Sequence, residues 1–139
     1  MPVIKLADVL QTAVTGKGES TDTLIMRKAI GSPSRDPRVP EGEGAIQSDA
    51  MSITWIKLWG GLQRMVCHDT DRAMYIVEGD AIVQVGDEQC EWVEAGDFVY
   101  IPKGTPYEAK GTMTYLVINA PAYREGTDLR DEKDVFPDS

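Results

Sequence analysis

The chain has 139 residues, of which 42% are hydrophobic and 27% charged, and 23 acidic against 14 basic residues give it a formal net charge of −9. This length and composition are typical of a single globular domain, residues 1–139, that buries a core. The negative charge argues against nucleic acid and against an anionic membrane surface as partners, since both bind basic groups.

The amino-terminal segment does not have the pattern of a secretory signal. Lys5 and Asp8 interrupt the stretch MPVIKLADVLQ, which therefore lacks the continuous apolar region of a signal peptide. No apolar run along the chain reaches the length that spans a membrane. These two observations predict a cytoplasmic protein.

The first part of the chain predicts two strands separated by a loop. Residues 23–30 (TLIMRKAI) are apolar and predict a strand, whereas residues 31–44 hold three prolines and three glycines and predict a loop. A loop of this length covers a site, joins a partner or is a mobile connector. Met51–Trp59 alternates as a strand does, and both of its faces are rather apolar, so we expect a homodimer with a largely hydrophobic interface.

The rest of the chain predicts short strands broken by glycine and proline turns. Glu78–Asp80 predicts a tight hairpin connection, Thr112–Ala120 the last clear strand, and residues 121–139 a polar tail on the surface. Strands at this spacing, with hardly any helical period, predict an all-β sandwich or barrel whose core lies within residues 50–120. Cys67 and Cys90 are too few for a disulfide framework and are interpreted as two thiols, with a single disulfide as the alternative.

Two segments in the middle of the chain share their spacing with a known pair of motifs. Gly60–Gly79 fits the frame G-x5-H-x-H-x3-E-x6-G, and Gly96–Gly111 fits G-x5-P-x-G-x2-H-x3-N. The chain therefore resembles the cupin superfamily, to which both motifs belong. The resemblance covers the middle half of the chain and implies a double-stranded β-helix, the cupin jelly-roll barrel, with a short amino-terminal extension.

Alternation along the strands selects the side chains that face the interior of such a barrel. On the first motif the residues on either side of Cys67 are expected to point inward, and Cys67 itself outward. On the next strand every second residue from Arg72 shares one face, and the second motif contributes one further position. The predicted lining is therefore Val66, His68, Arg72, Met74, Ile76 and Tyr107.

The motif positions that hold metal ligands in cupins are occupied by Val66, His68, Arg72 and Tyr107. His68 is the single histidine of the chain, and a transition metal needs three or four converging nitrogen, oxygen or sulfur ligands. The sequence therefore predicts neither a metal nor another cofactor. The remaining route to a divalent metal combines His68 with Tyr107, Cys67 or an acid, against the repulsion of Arg72.

Arg72 is the most informative departure from the motif. A guanidinium offers a planar fork of donors that suits a carboxylate or phosphate, so the barrel is predicted to bind a small anionic or carbonyl-containing metabolite. Val66, Met74 and Ile76 supply the apolar lining that such sites have. The alternative is that Arg72 pairs with an acid such as Asp69 or Asp71 and touches no ligand.

If the protein is an enzyme, His68 and Tyr107 are the predicted catalytic residues. Histidine exchanges protons near neutral pH and a tyrosine donates to a developing oxyanion, which suits a metal-independent lyase or isomerase. The resemblance implies that this is feasible, since some cupin-fold sugar epimerases use a histidine and a tyrosine without metal. Two alternatives stay open. One is a non-catalytic ligand-binding or sensory cupin, similar to the ethanolamine-utilisation type in MYIVEG and GDFVYIPKG; the other is a metal-dependent cupin enzyme with substituted ligands.

Overall fold

The computed structural model of the protein describes residues 3–15, 23–32, 46–123 and 127–130. Within these ranges the chain is almost entirely β-structure, apart from a short 3₁₀ helix at Leu6–Asp8. The strands follow in chain order as β1 (Gln11–Thr15), β2 (Thr23–Gly31), β3 (Ile46–Gln47), β4 (Ser52–Leu58), β5 (Gly61–Cys67), β6 (Asp71–Val85), β7 (Glu91–Glu94), β8 (Phe98–Ile101), β9 (Tyr107–Ala120) and β10 (Asp128–Arg130).

The two long strands β6 and β9 pair antiparallel along their lengths and take part in both sheets of the barrel. The first sheet has the order β1–β2–β4–β9–β6–β8 and uses the second half of β9 with the first half of β6. The second sheet has the order β10–β5–β9–β6–β7 and uses the other halves. Strand β3 pairs in parallel with the end of β2. This is the all-β jelly-roll barrel that the sequence predicts, and β1 and β2 extend it to residues before position 50.

The hydrophobic core lies between the two sheets and is built from alternate residues of each strand. Ile76 and Ala81 are completely buried, and the ring of Tyr115 is almost so. Because apolar burial is the main favourable contribution to folding, this layer fixes which face of each strand points inward. The core residues are Ile56, Leu58, Met74, Ile76, Ala81, Val83, Val93, Val99, Ile101, Tyr107, Ala109, Met113, Tyr115 and Val117.

Strands β6 and β9 approach most closely at two glycines. Gly79 has a φ of +83°, and a Cβ at this position would overlap the carbonyl oxygen of Thr112 and lie 2.9 Å from the Cα of Met113. On the facing strand, a Cβ at Gly111 would lie 2.6 Å from the carbonyl oxygen of Asp80. Only glycine permits this backbone conformation together with so close an approach.

The hairpin turn predicted at Glu78–Asp80 is wrong, because β6 continues through these residues to Val85.

The strands predicted at residues 23–30 and Met51–Trp59 are confirmed as β2 and β4. On β4 the inward face carries Ile56 and Leu58, and the outward face carries Ile53 and Trp55. Of the loop predicted at residues 31–44, the described part is residues 31–32, and the remainder lies outside the described residues. The last predicted strand is confirmed, although β9 begins earlier, at Tyr107.

A bulge in β5 changes which of its residues face the interior. Leu62 pairs with Ala109, but the next pair in register is Met65 with Tyr107, so two residues of β5 oppose the single residue Glu108. An extra residue of this kind reverses the alternation beyond it. Met65 therefore faces inward, whereas unbroken alternation from Leu62 would have turned Val66 inward.

Two further features bear on expectations from the sequence. Cys67 and Cys90 are free thiols, as predicted. Among the described residues, no helix has the length and apolar character needed to cross a membrane.

Candidate functional site

Four of the six residues predicted to line the interior do so. Arg72, Met74 and Ile76 lie on the inward face of β6, and Tyr107 begins the inward face of β9. All four are buried, with Arg72 5% and Tyr107 7% exposed. Met74 and Ile76 pack in the hydrophobic core, whereas Arg72 and Tyr107 form a polar group at one end of the barrel.

The inward position predicted for Val66 is wrong. The bulge in β5 turns Val66 outward, where it pairs with the exposed Leu129 of β10, and it turns Cys67 inward. His68 follows the end of β5 and is exposed. Its Nδ1 lies 3.4 Å from the position that a Cβ would take on Gly104, so the imidazole sits on the rim beside the turn of the second motif. Its catalytic role stays a prediction.

Arg72 lies at the centre of the polar group, and each nitrogen of its guanidinium has a partner. Nε donates to Oδ1 of Asn119 at 2.6 Å, and Nη1 donates to the hydroxyl of Tyr107 at 2.5 Å. Nη2 donates to Oδ2 of Asp128 at 3.4 Å. The guanidinium carbon also lies 5.4 Å from the ring centroid of Tyr107 and 5.8 Å from that of Tyr123. We call Arg72, Tyr107, Asn119 and Asp128 the Arg72 cluster.

Asp128 is brought to the Arg72 cluster by the pairing of β10 with the edge of β5. It lies opposite Cys67 in the ladder, so both side chains share the inward face. Its Oδ1 is 3.2 Å from Nη2 of Arg72, close enough for an ion pair but without a hydrogen bond, and the side chain is 25% exposed. Part of the segment predicted as a tail after residue 120 therefore forms a strand at the edge of the sheet, and the carboxylate of this strand reaches the buried guanidinium.

The Arg72 cluster favours a charged guanidinium and a neutral phenol. Burial alone would lower the pKa of Arg72, but the oxygens of Tyr107 and Asp128 outweigh it and raise that pKa above its ordinary value. Burial raises the pKa of Tyr107, and the nearby guanidinium opposes this only in part. Because the hydroxyl of Tyr107 accepts from Arg72, its own proton is available to a second group. The cluster thus offers a fixed positive charge and a neutral proton donor.

The two buried tyrosines predict loss of stability in alkali. Burial raises the pKa of Tyr115 as well as that of Tyr107. A phenol with a raised folded pKa contributes its full stability below the unfolded value of about 10, and the contribution is lost as the pH rises above that value. We expect the free energy of unfolding in urea to fall steeply above about pH 10. Tyr115→Phe should make this fall shallower; an unchanged pH profile would contradict the assignment.

The donor set at this end of the barrel does not fit a transition metal. Cys67 is inward but contacts hydroxyls, with its Sγ 3.7 Å from Oγ1 of Thr127 and 3.8 Å from Oγ1 of Thr70. Among the described residues, no three histidine, cysteine or acidic side chains converge as metal ligands. Arg72, at a motif position that holds a ligand in cupins, would repel a cation.

Sequence reasoning missed three residues that surround Arg72. Asn119 is the polar end of an otherwise apolar inward face of β9, and its inward position was detectable from the alternation that begins at Tyr107. Ser52 accepts hydrogen bonds from the side chain of Asn119 at 3.2 Å and from the backbone of Tyr123 at 2.9 Å. Asp128 carried no signal, because a three-residue strand in a charged segment has no detectable period.

A second buried arginine offers a useful comparison. Arg64 is also 5% exposed, but it lies at the β5 bulge, on the outward side of the second sheet. Its Nη1 is 3.2 Å from Oε1 of Glu108 and 3.0 Å from Oε1 of Gln84, and its Nη2 donates to the carbonyl of Gly86 at 2.9 Å. This ion pair joins β5, β9 and β6 away from the barrel interior.

Known structures of similar fold include enzymes. The chain is similar to a tyrosine-to-phenylalanine variant of the Streptomyces protein Pac13 solved with uridine, with a TM-score of 0.65 and 13% identity over 91% of this chain and 87% of that one. Pac13 is described as a nucleoside dehydratase. It is also similar to a variant of Bacillus subtilis oxalate decarboxylase, with a TM-score of 0.65 and 17% identity over 91% of this chain but 31% of that one. At these identities the likeness establishes the fold alone.

The sequence itself matches a family model. No curated protein matches the chain significantly. The model of the EutQ-like cupin domain matches residues 47–118, just over half of the 139 residues. This range contains both motifs and two of the four residues of the Arg72 cluster, Arg72 and Tyr107, and the jelly-roll barrel agrees with it. The chain therefore belongs to the family of EutQ-like cupin domains.

Proposed function

We propose that this protein binds a small anionic or carbonyl-containing metabolite in its barrel, at the Arg72 cluster. The observation that carries the proposal is the carboxylate of Asp128 against the buried guanidinium of Arg72. A guanidinium that pairs with a carboxylate of its own chain can pair with the carboxylate of a ligand in the same way. The ligand would take the place of Asp128, while Asn119 and Tyr107 continue to orient Arg72.

The geometry of the ion pair favours such an exchange. The 3.4 Å hydrogen bond from Nη2 to Asp128 is longer than the 2.6 Å bond from Nε to Asn119, so the carboxylate is held in the less tightly fitted hydrogen bond of the two. Asp128 is also the part of the Arg72 cluster that solvent reaches, with a quarter of its side chain exposed. A ligand carboxylate can therefore displace Asp128 without taking apart the inner bonds of Arg72.

Asp128→Asn is expected to tighten the binding of small carboxylates about ten- to a hundredfold, since a charge-assisted hydrogen bond contributes about 1.5–3 kcal/mol. The substitution removes the competing charge and leaves Arg72 in place. Affinity is measured by calorimetry with mono- and dicarboxylates and with their neutral amides.

Asp71→Asn is the matched control for that substitution. Asp71 precedes Arg72 on β6, and its Oδ1 accepts from the backbone of Lys103 at 3.0 Å. The substitution changes the net charge by the same amount and leaves the contacts of the Arg72 guanidinium described above in place. Equal effects of the two substitutions would show that the overall charge, rather than displacement of Asp128, governs binding.

The second candidate function is a metal-independent lyase or isomerase that acts on the same ligand. The neutral phenol of Tyr107 favours it, as a proton donor beside a fixed cation. The shared fold with a nucleoside dehydratase supports testing elimination first, with uridine among the substrates. Tyr107→Phe keeps the ring and removes the acidic proton. In an enzyme it should abolish turnover while affinity changes only a few-fold; in a binding or sensory protein there is no turnover to lose.

We propose that this chemistry proceeds without a bound metal. The support is the position of Arg72 and the exposed place on the rim of His68, the residue on which a metal would depend. Metal analysis of protein purified without an affinity tag should find well below one equivalent of nickel, iron, manganese or zinc. One equivalent that is lost in His68→Ala would instead favour a metal-dependent cupin with substituted ligands.

We also propose that the protein is a homodimer, because the outward side of β4 carries Ile53 and Trp55. Large apolar side chains that are adjacent on the outward face of a sheet are typical of a surface covered by a partner.

A further inference from the structure

The outer surface of the first sheet carries a continuous apolar area on four adjacent strands. Phe98 and Tyr100 of β8 are 73% and 62% exposed, and their rings stand on the solvent side of the sheet. Tyr75 of β6 packs against Phe98 with ring centroids 4.8 Å apart. We call this surface the apolar face; its main residues are Ile53, Trp55, Tyr75, Phe98, Tyr100 and Leu116.

The strand register aligns these residues in rows across the sheet. Trp55 pairs with Leu116, Leu116 with Tyr75, and Tyr75 with Phe98, so one row crosses β4, β9, β6 and β8 without a polar residue. In a parallel row, Ile53 lies on β4 and Tyr100 on β8. Exposed apolar areas of this continuity mark interaction sites in soluble proteins.

Charged residues of opposite sign flank the apolar face. Arg27 and Lys57 lie at the β2–β4 side, with the guanidinium of Arg27 5.7 Å from the ring centroid of Trp55. Glu78 and Asp97 lie at the β6–β8 side, and both are exposed. A surface with a basic edge, an apolar centre and an acidic edge is complementary to a second copy of itself.

Building on the homodimer proposed above, we propose that the apolar face is its interface and binds a second copy of this chain, with the twofold axis parallel to strands β6 and β9. In a face-to-face pair of identical sheets the axis lies in the plane between them. An axis along the strands brings the basic edge of one copy to the acidic edge of the other, whereas an axis across the strands superposes like charges. The chosen axis lies between β9 and β6 and sets Trp55 against the partner's Phe98, and Leu116 against the partner's Tyr75.

The test is the dissociation constant of the dimer, measured by sedimentation on the full chain without added ligand. Wild-type protein should be a dimer at micromolar concentration. Phe98→Glu and Tyr100→Glu should each raise the dissociation constant at least about a hundredfold, as loss of a central aromatic residue does in other interfaces. Both residues are exposed in the single chain, so circular dichroism and thermal unfolding should show an intact fold.

Trp92→Glu is the matched control for exposure and chemistry. Trp92 is 70% exposed on β7, in the second sheet, and lies outside the apolar face. The control should leave the dimer intact. A monomeric wild type, a dimer that survives Phe98→Glu and Tyr100→Glu, or an equal effect of Trp92→Glu would overturn the proposal.

The direction of the axis has its own test. Trp55→Lys and Phe98→Glu should each dissociate the dimer, and the double variant should recover at least tenfold in affinity, because each lysine meets the partner's glutamate. Within one chain these positions are three strands apart, or about 14 Å, so the recovery arises across the interface. Two dissociating single variants with no recovery in the double variant would rule out this axis.

Discussion

Arg72→Ala is expected to lower the free energy of unfolding by about 3–5 kcal/mol and to remove anion binding. The substitution leaves the carboxylate of Asp128 and the carbonyl of Asn119 without their cationic donor in a buried setting, and such groups are costly when unpaired. The free energy is measured by urea unfolding. Binding is measured by calorimetry, at a temperature where the variant remains folded.

Arg64→Ala separates the loss of stability from the loss of anion binding. Arg64 and Arg72 are equally buried, and each pairs with a carboxylate, but Arg64 lies on the outward side of the sheet. Arg64→Ala should therefore cost a similar free energy of unfolding and leave anion affinity unchanged. If it weakens binding as much as Arg72→Ala does, the loss of binding reflects general destabilisation, and Arg72 has no particular role as a ligand contact.

Gly79→Ala is expected to destabilise the barrel by at least about 4 kcal/mol or to prevent folding. A methyl group there meets the backbone of β9, which cannot move without breaking the long β6–β9 ladder. Gly96→Ala is the control, because Gly96 also has a positive φ, +96°, but a Cβ there has no atom within 4 Å. It should cost only the conformational strain, about 1–2 kcal/mol. Equal losses of the free energy of unfolding in urea would show that backbone strain alone, without the close approach of β9, explains the need for glycine at position 79.

The fold was predictable because its signals are redundant. Alternation, turn residues and two motif spacings all indicate a β-barrel, and one local error does not change that conclusion. The role of Gly79 was predictable only in part. Its place in the motif follows from the spacing, but a glycine between polar residues also resembles a hairpin turn. The close approach that requires glycine at this position involves β9, a strand some thirty residues away in the chain.

The candidate site was predictable only in part, for two physical reasons. The inward positions on β6 followed from uninterrupted alternation, but the bulge in β5 arises from pairing with β9 and reverses Val66 and Cys67. Asp128 reaches Arg72 through an edge strand of three residues, which leaves no pattern in a charged segment. The sequence thus identified the arginine and the tyrosine, while tertiary pairing supplied the carboxylate.

The most direct test of the Arg72 cluster as an anion site is a calorimetric titration of wild type and Arg72→Lys with a panel of small carboxylates, phosphorylated metabolites and neutral analogues of the same shape. We expect anions to bind more tightly than their neutral analogues. We also expect Arg72→Lys to retain only part of that preference, because an ammonium keeps the charge but lacks the planar fork. Equal affinity for charged and neutral members of the panel, or anion binding that Arg72→Lys and Arg72→Ala leave unchanged, would contradict the role of Arg72 in binding anions.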